Sequence, residues 1–248
     1  MSSPGFPVFV ISLARSADRR SHMGEQLRNG WKGPWEIFAA VDGLALDASA
    51  FRRLGLIREV FDRQMIEGEI GCWLSHLFLL DAIADRELEM AMILEDDVVL
   101  LPGIRDGLAE RLELLAGAGV DWDVCFAGSY SGADWAPKAP ADLLPGGFFK
   151  MNAETRGAPG SWAYLVTLAG ARKLMNRMCR RPIDRPVDEI FPEMCIDGIS
   201  IVCASPSLVE PSGHSSTILE QCDPSPSAEY TERCMRSYLA MLFRRGGN

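Results

Sequence analysis

The sequence has no excess of basic charge: 25 Lys and Arg stand against 34 Asp and Glu, a net charge of −9. A broad nucleic-acid footprint needs clustered cations, and this balance argues against one. It does not argue against a phosphate ligand held by a few local arginines, or through a metal. No CxxC pair occurs among the seven cysteines (Cys72, Cys125, Cys179, Cys195, Cys203, Cys222 and Cys234). An odd count without paired spacing argues against a zinc cluster, and against a disulfide framework in a chain of this size. Reduced, mostly buried thiols in a cytosolic protein are expected instead. Neither standard Gly-rich phosphate loop is present. No run of about 20 apolar residues exists, so no membrane span is expected. The opening run Pro7-Val8-Phe9-Val10-Ile11-Ser12-Leu13 has neither a basic leader nor a small-residue cleavage site, so no signal peptide is expected. Internal repeats are also lacking.

What is present is an ordinary globular composition, 48% apolar and 24% charged over 248 residues, enough for one large or two small domains. Residues 8–13 read as a strand and the segment to about 28 as a helix capped by Ser16 or Asp18 and stopped by Asn29-Gly30. Residues 35–40 read as a second strand, and 44–68 as an excursion with one short helix. From 69 to about 84, Ile70, Trp73, Leu74, Leu77 and Leu80 fall on one helical stripe. A strand at 90–94, a helix marked by Ile104, Leu108, Leu112 and Leu115, and a strand at 123–127 follow. Residues 128–160, rich in Gly, Pro, Ala and Asp, read as a long loop, which is usually functional or mobile. A strand at 162–167, helices at 169–180 and about 189–195, a last strand at 199–203 and a terminal helix at 229–245 complete the pattern. Alternating strands and helices give an α/β class.

The most informative feature is Glu95-Asp96-Asp97, set between the apolar runs Met90-Ala91-Met92-Ile93-Leu94 and Val98-Val99-Leu100-Leu101. Those flanks read as buried strand. Two carboxylates about 4 Å apart repel by roughly 4 kcal/mol at an effective dielectric near 20, so something must compensate them. A divalent cation is the simplest candidate, because Mg²⁺ and Mn²⁺ prefer carboxylate oxygens and share sites with substrate phosphates. If the strand continues, Glu95 and Asp97 face one side and Asp96 the other. The pair could then share one metal, or divide a metal and a ribose hydroxyl between them. The plain alternative is a solvated turn with its acids at the rim.

Three further constellations are weaker singly. Arg15, Arg19 and Arg20 follow the first strand at a helix start, a place where open α/β sheets bind ligands and where phosphate is favoured; a solvated helix face is the alternative. In Gly68-Glu69-Ile70-Gly71-Cys72-Trp73-Leu74-Ser75-His76, the small residues Gly71 and Cys72 let something approach closely. Ser75 and His76 border the apolar stripe there, although a lone helical histidine is more often structural. Near the end of the chain, Asp188 follows a proline at a helix start and suits a general base, and His214 sits in a Ser/Gly loop as a metal ligand or phosphate contact.

Taken in order, these segments resemble glycosyltransferase family 25, the lipooligosaccharide galactosyltransferases of bacteria and their collagen-glycosylating relatives. Three stretches carry the resemblance: residues 8–13 with Arg15, Asp18 and Arg19; Glu69-Ile70-Gly71-Cys72 with Ser75-His76; and Ile93-Leu94-Glu95-Asp96-Asp97. Weaker echoes are Gly160-Ser161-Trp162-Ala163-Tyr164, Gly170-Ala171 and Pro186-Val187-Asp188. Ser12 stands where the family usually has Asn, and residues 128–160 match nothing in it.

The resemblance implies a GT-A-like fold, with a mixed, mostly parallel sheet between helices, in one domain spanning 1–248: a nucleotide-binding half to about 127 and an acceptor-side half with the terminal helix beyond. It implies inverting transfer of a hexose, most often galactose, from a UDP-sugar to a hydroxyl of a glycan, a lipid-linked or a small-molecule acceptor. Ser12, Leu13, Arg15, Arg19, Ser75, His76, Glu95 and Asp96 would contact the donor. Asp97, with Glu95 and His214, would hold Mn²⁺ or Mg²⁺. Asp188, or Glu69 after it, would be the general base. Nucleic acid is not an expected partner. A cytoplasmic location is expected, with peripheral contact at the inner face of a membrane if the face carrying Tyr230, Cys234, Tyr238 and Leu242 does not dock on the core. A lipopolysaccharide-type pathway fits the bacterial branch of the resemblance. The rival readings are a metal-dependent nucleotidyltransferase or nucleotide-sugar phosphohydrolase, and a non-catalytic binding module.

Overall fold

A computed structural model gives the fold and describes residues 5–31, 33–58, 64–128, 143–151, 160–213, 217–219 and 225–245. In chain order the elements are β1 (Val8–Ser12), α1 (Ala17–Gln26), β2 (Trp35–Ala39), α2 (Ala48–Arg53), α3 (Glu67–Asp85), β3 (Met90–Glu95), β4 (Val98–Leu100) and α4 (Ile104–Gly117). Then come β5 (Val124–Phe126), β6 (Phe148–Lys150), β7 (Ala163–Thr167), α5 (Leu168–Cys179), α6 (Val187–Ile196), β8 (Ile201–Ala204), β9 (Val209–Pro211) and α7 (Ala228–Arg245). The class is α/β. One sheet has the order β2-β1-β3-β7-β5-β8-β6. Five of its strands run one way, and β6 and β7 run against them, so it is mixed and mostly parallel.

Side chains of the central strands alternate between two cores, as the pleat requires. Phe9, Ile11, Ala91 and Ile93 enter the core shared with α3, α5, α6 and α7. Val8, Val10, Met92 and Leu94 enter the other, with Met23 of α1 and Ile104, Leu108 and Leu115 of α4. Helices therefore cover both faces, which is why these strands read as continuous apolar runs. The single stripe expected on the third helix is too narrow. α3 also buries Ser75, His76, Leu79, Asp81 and Ile83, and a helix buried nearly all round lies inside a fold.

Several boundaries differ from expectation. The acidic triplet does not lie within a continuing strand: β3 ends at Glu95, and β4 pairs with β9 in a separate two-stranded sheet. β8 is consequently not the last strand. Asn29-Gly30 does not stop the first helix, which continues as a π-turn to Trp31. Residues 128–160 are not all irregular, because β6 lies within them; 129–142 and 152–159 fall outside the described residues. The described cysteines are all free thiols, and Cys222 lies outside the described residues.

α7 docks on the core through the face singled out above. Cys234, Tyr238 and Met241 are buried, Tyr238 meets Trp73 edge-on, and the Tyr230 hydroxyl accepts from the Asp42 amide at 2.8 Å. Membrane contact through that face is overturned, because the face is already covered. Among the described residues no helix is long and apolar enough to cross a membrane.

The small residues at the start of α3 serve backbone packing. A Cβ on Gly71 would lie 2.6 Å from the Val41 oxygen and 2.7 Å from the Gly43 nitrogen, and one on Gly43 would collide with the Glu67 carbonyl. What approaches the helix so closely is thus the loop after β2. Replacing an interior helical glycine by alanine ordinarily gains about 1 kcal/mol, whereas overpacking costs about 1–3 kcal/mol. Gly71→Ala should therefore lower the melting temperature by a few degrees. An unchanged or raised value in a thermal melt would contradict the close approach.

Candidate active site

The site forms where β1 and β3 end side by side. Register pairs Ile11 with Glu95, so Ser12 and Asp96 emerge together past the sheet edge. Ligands bind outside the carboxyl ends of strands in open α/β sheets, and two adjoining cavities open there. Ser12, Leu13, Arg15, Arg19, Asp42, Ser75, Glu95, Asp96 and Asp97 are among the residues that line the first. Glu69, Ser161, Trp162 and Asp188, again with Glu95 and Asp97, are among those lining the second. The second is the larger, about 280 Å³ against about 70 Å³. Glu95, Asp97, Cys72 and Ile218 belong to both walls, so the two acids stand at the boundary.

The three acids are compensated unequally. Asp96 is buried, and both its oxygens are engaged: Ser12 Oγ donates to one at 2.5 Å and Arg19 to the other at 2.7 Å. Arg20 completes this anchor by donating to the Ser12 carbonyl at 2.9 Å. Glu95 continues the alternation of β3 and faces α3. Burial alone would raise its pKa, but His76, a hydrogen bond from Ser161 Oγ at 2.7 Å and the nearby Arg19 together hold it below the usual value. His76 Nε2 stands 3.4 Å from Glu95 Oε1, and its Nδ1 meets the Tyr164 hydroxyl at 3.0 Å. Asp97 has the weakest support. Arg19 reaches it only at 3.6 Å, while burial and the neighbouring Glu95 push its pKa up to about 6.

The residues singled out from sequence fall into four groups. Ser12, Leu13, Arg15, Arg19, Ser75, Glu95, Asp96 and Asp97 share the first cavity; Arg15 forms an ion pair with Asp42 across it. Ser75 is structural in its hydrogen bonding, donating to the Gly71 carbonyl at 2.6 Å and accepting from the Val41 amide at 2.8 Å. His76 is fully buried and is not a wall of either cavity; it lies behind Cys72 and Glu95, which are. Glu69 and Asp188 line the second cavity. The Glu69 carboxylate accepts from the Ile66 amide at 3.1 Å and so helps cap α3. Burial, and after it Glu95, raises the pKa of Asp188 in the first turn of α6. His214 lies outside the described residues.

Sequence reasoning missed Asp42, which caps the following turn as well as pairing with Arg15. Its only signal in the sequence is the Asp42-Gly43 dipeptide, a common turn pair. Ser161 and Tyr164 were present only as weak echoes. Their roles follow from β7 pairing antiparallel with β3, which no local pattern encodes.

Residues 6–116 match glycosyltransferase family 25 (LPS biosynthesis protein). Among curated relatives, human inactive glycosyltransferase 25 family member 3 is 33% identical over 202 residues, covering 75% of this chain and 31% of that protein. Human procollagen galactosyltransferase 2 is 31% identical over 197 residues, covering 75% and 30%. The chain thus spans about a third of the length of these relatives. A solved glycosyltransferase involved in glycosylating the major capsid of PBCV-1 aligns loosely, with a TM-score of 0.43 and 9% identity over 94% of this chain and 100% of that one.

The raised Asp97 pKa predicts a pH-dependent cost. Its carboxyl titrates at about 6 in the fold against an ordinary 3.8. The folded state therefore binds the proton more tightly, and stability falls as pH rises through that window. Without added metal, Asp97→Asn should stabilise the chain by about 2–3 kcal/mol above pH 7 and by little near pH 4. Urea unfolding at both pH values checks this. A gain independent of pH would contradict the assignment.

Proposed function

Because the chain belongs to glycosyltransferase family 25, we propose that it is an inverting glycosyltransferase of GT-A-like construction that moves a hexose, most fittingly galactose, from a UDP-sugar to an acceptor hydroxyl. The observation that carries this reading is the meeting of two cavities at Glu95 and Asp97, with cations on one side and Asp188 on the other. A transferase must hold an anionic donor and a hydroxyl acceptor on opposite sides of one carbon. The first cavity, with Arg15 and Arg19 on its wall, suits a nucleoside diphosphate. The second suits the acceptor.

Asp97 and Glu95 would hold a divalent cation, with His214 as a third ligand. The fit rests on Asp97, a buried carboxyl that Arg19 compensates only from 3.6 Å and that stands on the wall of both cavities. A bound Mn²⁺ or Mg²⁺ supplies compensation for the charge that gathers on the departing diphosphate. Arg15 and Arg19 add fixed positive charge on the donor side. Ser12 and Asp96 line the same cavity, and their hydrogen bond with each other and with Arg19 holds that guanidinium in place.

Asp188 is the proposed general base. It takes the proton of the acceptor hydroxyl as that oxygen attacks the anomeric carbon, and the bond to the UDP oxygen breaks. Burial, and after it Glu95, raises its pKa above the usual carboxylate value, which makes it a stronger base for the acceptor proton. Glu69 is the weaker candidate, because its carboxylate already serves the start of α3. A second reading, a non-catalytic member, is favoured by one observation: a relative named inactive is as similar as one named a galactosyltransferase. Overall identity therefore does not separate the two, and turnover does.

Two measurements test this. A melting-temperature panel of UDP-Gal, UDP-Glc, UDP-GlcNAc and UDP-GalNAc, with and without Mn²⁺, should give the largest shift for UDP-Gal with metal, since a ligand bound only by the folded state raises apparent stability. No shift with any UDP-sugar would remove the donor assignment. Asp188→Asn should lower kcat by about 10²–10⁴-fold while leaving UDP affinity nearly intact. Undiminished turnover would return the role to Glu69 or another group.

A further inference from the structure

One cluster beside the proposed active site has a chemistry that sugar transfer does not use. Cys72 and His76 are four residues apart on α3 and so lie on the same face of the helix, toward Glu95 at the end of β3. One ligand atom from each of the three, the Cys72 Sγ, a His76 ring nitrogen and a Glu95 carboxylate oxygen, lies within 4.8 Å of the others. His76 is fully buried, and its Nε2 makes no hydrogen bond, standing 3.4 Å from Glu95 Oε1. A buried ring nitrogen that faces a carboxylate without forming a hydrogen bond to it calls for an explanation. Its other nitrogen meets the Tyr164 hydroxyl at 3.0 Å, the outer contact that orients metal-binding imidazoles.

We propose that Cys72, His76 and Glu95 form a second cation site that takes a thiophilic divalent ion such as Zn²⁺ in preference to Mn²⁺ or Mg²⁺. Thiolate, imidazole and carboxylate form a borderline-soft donor set, matched to zinc and poorly to hard cations that seek oxygen. Tetrahedral zinc bonds of about 2.0–2.3 Å put ligand atoms roughly 3.5 Å apart, so the cluster has to draw in by about 1 Å. On binding, Cys72 releases its thiol proton to solvent, and the ion gains sulfur, Nε2 and one Glu95 oxygen. Cys72 and Glu95 line both cavities, so an ion held by them would be reachable from there. Glu95 is common to this site and the one proposed for the donor; Cys72 and His76 belong to this site alone, and Asp97 is not needed as a ligand here.

Cobalt titration of the metal-stripped full chain tests the proposal, with Co²⁺ as a spectroscopic substitute for zinc. The wild type should develop a thiolate-to-cobalt charge-transfer band at one equivalent. Cys72→Ser should lose the band, Tyr164→Phe should bind about tenfold or more weakly, and Asp97→Asn should keep the band. Circular dichroism confirms that each variant is folded. On the unaltered chain, Zn²⁺ should protect Cys72 from iodoacetamide, read by peptide mass, where Mg²⁺ does not. Absence of the band, its persistence in Cys72→Ser, or equal labelling with and without zinc would overturn the site.

Discussion

Three consecutive carboxylates at the end of a buried strand are the constraint around which the site is built. Each requires compensation, and the chain supplies it in decreasing measure. Asp96 has a hydroxyl and a guanidinium at full hydrogen-bond distance, Glu95 has Ser161 and a longer contact with His76, and Asp97 has a guanidinium only at 3.6 Å. The first interaction ties β1 and α1 to the turn after β3. The second ties α3 and the start of β7 to the same place. The third leaves a carboxyl whose pKa is raised to about 6 on the wall of both cavities. The uneven compensation, more than the presence of three acids, marks Asp97 as the least satisfied of the three and Asp96 as the structural one.

The packing around this point follows from it. Glu95 can face α3 only if that helix enters the fold deeply, and α3 does so because Gly71 and Gly43 allow helix and loop backbones to touch. That contact brings the loop after β2, with Asp42, against the first cavity, where it meets Arg15. α7 holds the loop from outside through the Tyr230 hydroxyl. The terminal helix thus supports the proposed donor wall, although it contributes no lining residue to either cavity.

Much of this was legible in the sequence, and the reasons differ by residue. The strands at residues 8–12 and 90–95 were readable because both faces are buried and the apolar runs are unbroken. The acids stood out against that background. The end of β3 at Glu95 was not readable, since Val98–Leu100 is as apolar as a continuing strand; its partner β9 lies over 100 positions away. The electrostatic argument from sequence called for a metal to neutralise the triplet. In the fold, Ser12 and Arg19 satisfy Asp96 and Ser161 donates to Glu95, which leaves Asp97 the least compensated of the three. His76 looked like a donor contact because of its neighbours in sequence; helical geometry instead turns it inward beneath Glu95. Asp42, Ser161 and Tyr164 became visible only through tertiary pairing.

The central claim is that Asp97 holds a divalent cation for a nucleoside diphosphate, while Asp96 serves the fold. Electron paramagnetic resonance of Mn²⁺ titrated with chain and UDP tests it directly, because bound Mn²⁺ loses the sharp signal of the free ion. The account predicts that wild type quenches the signal when UDP is present and that folded Asp97→Ala does not. Quenching by Asp97→Ala equal to wild type would contradict it.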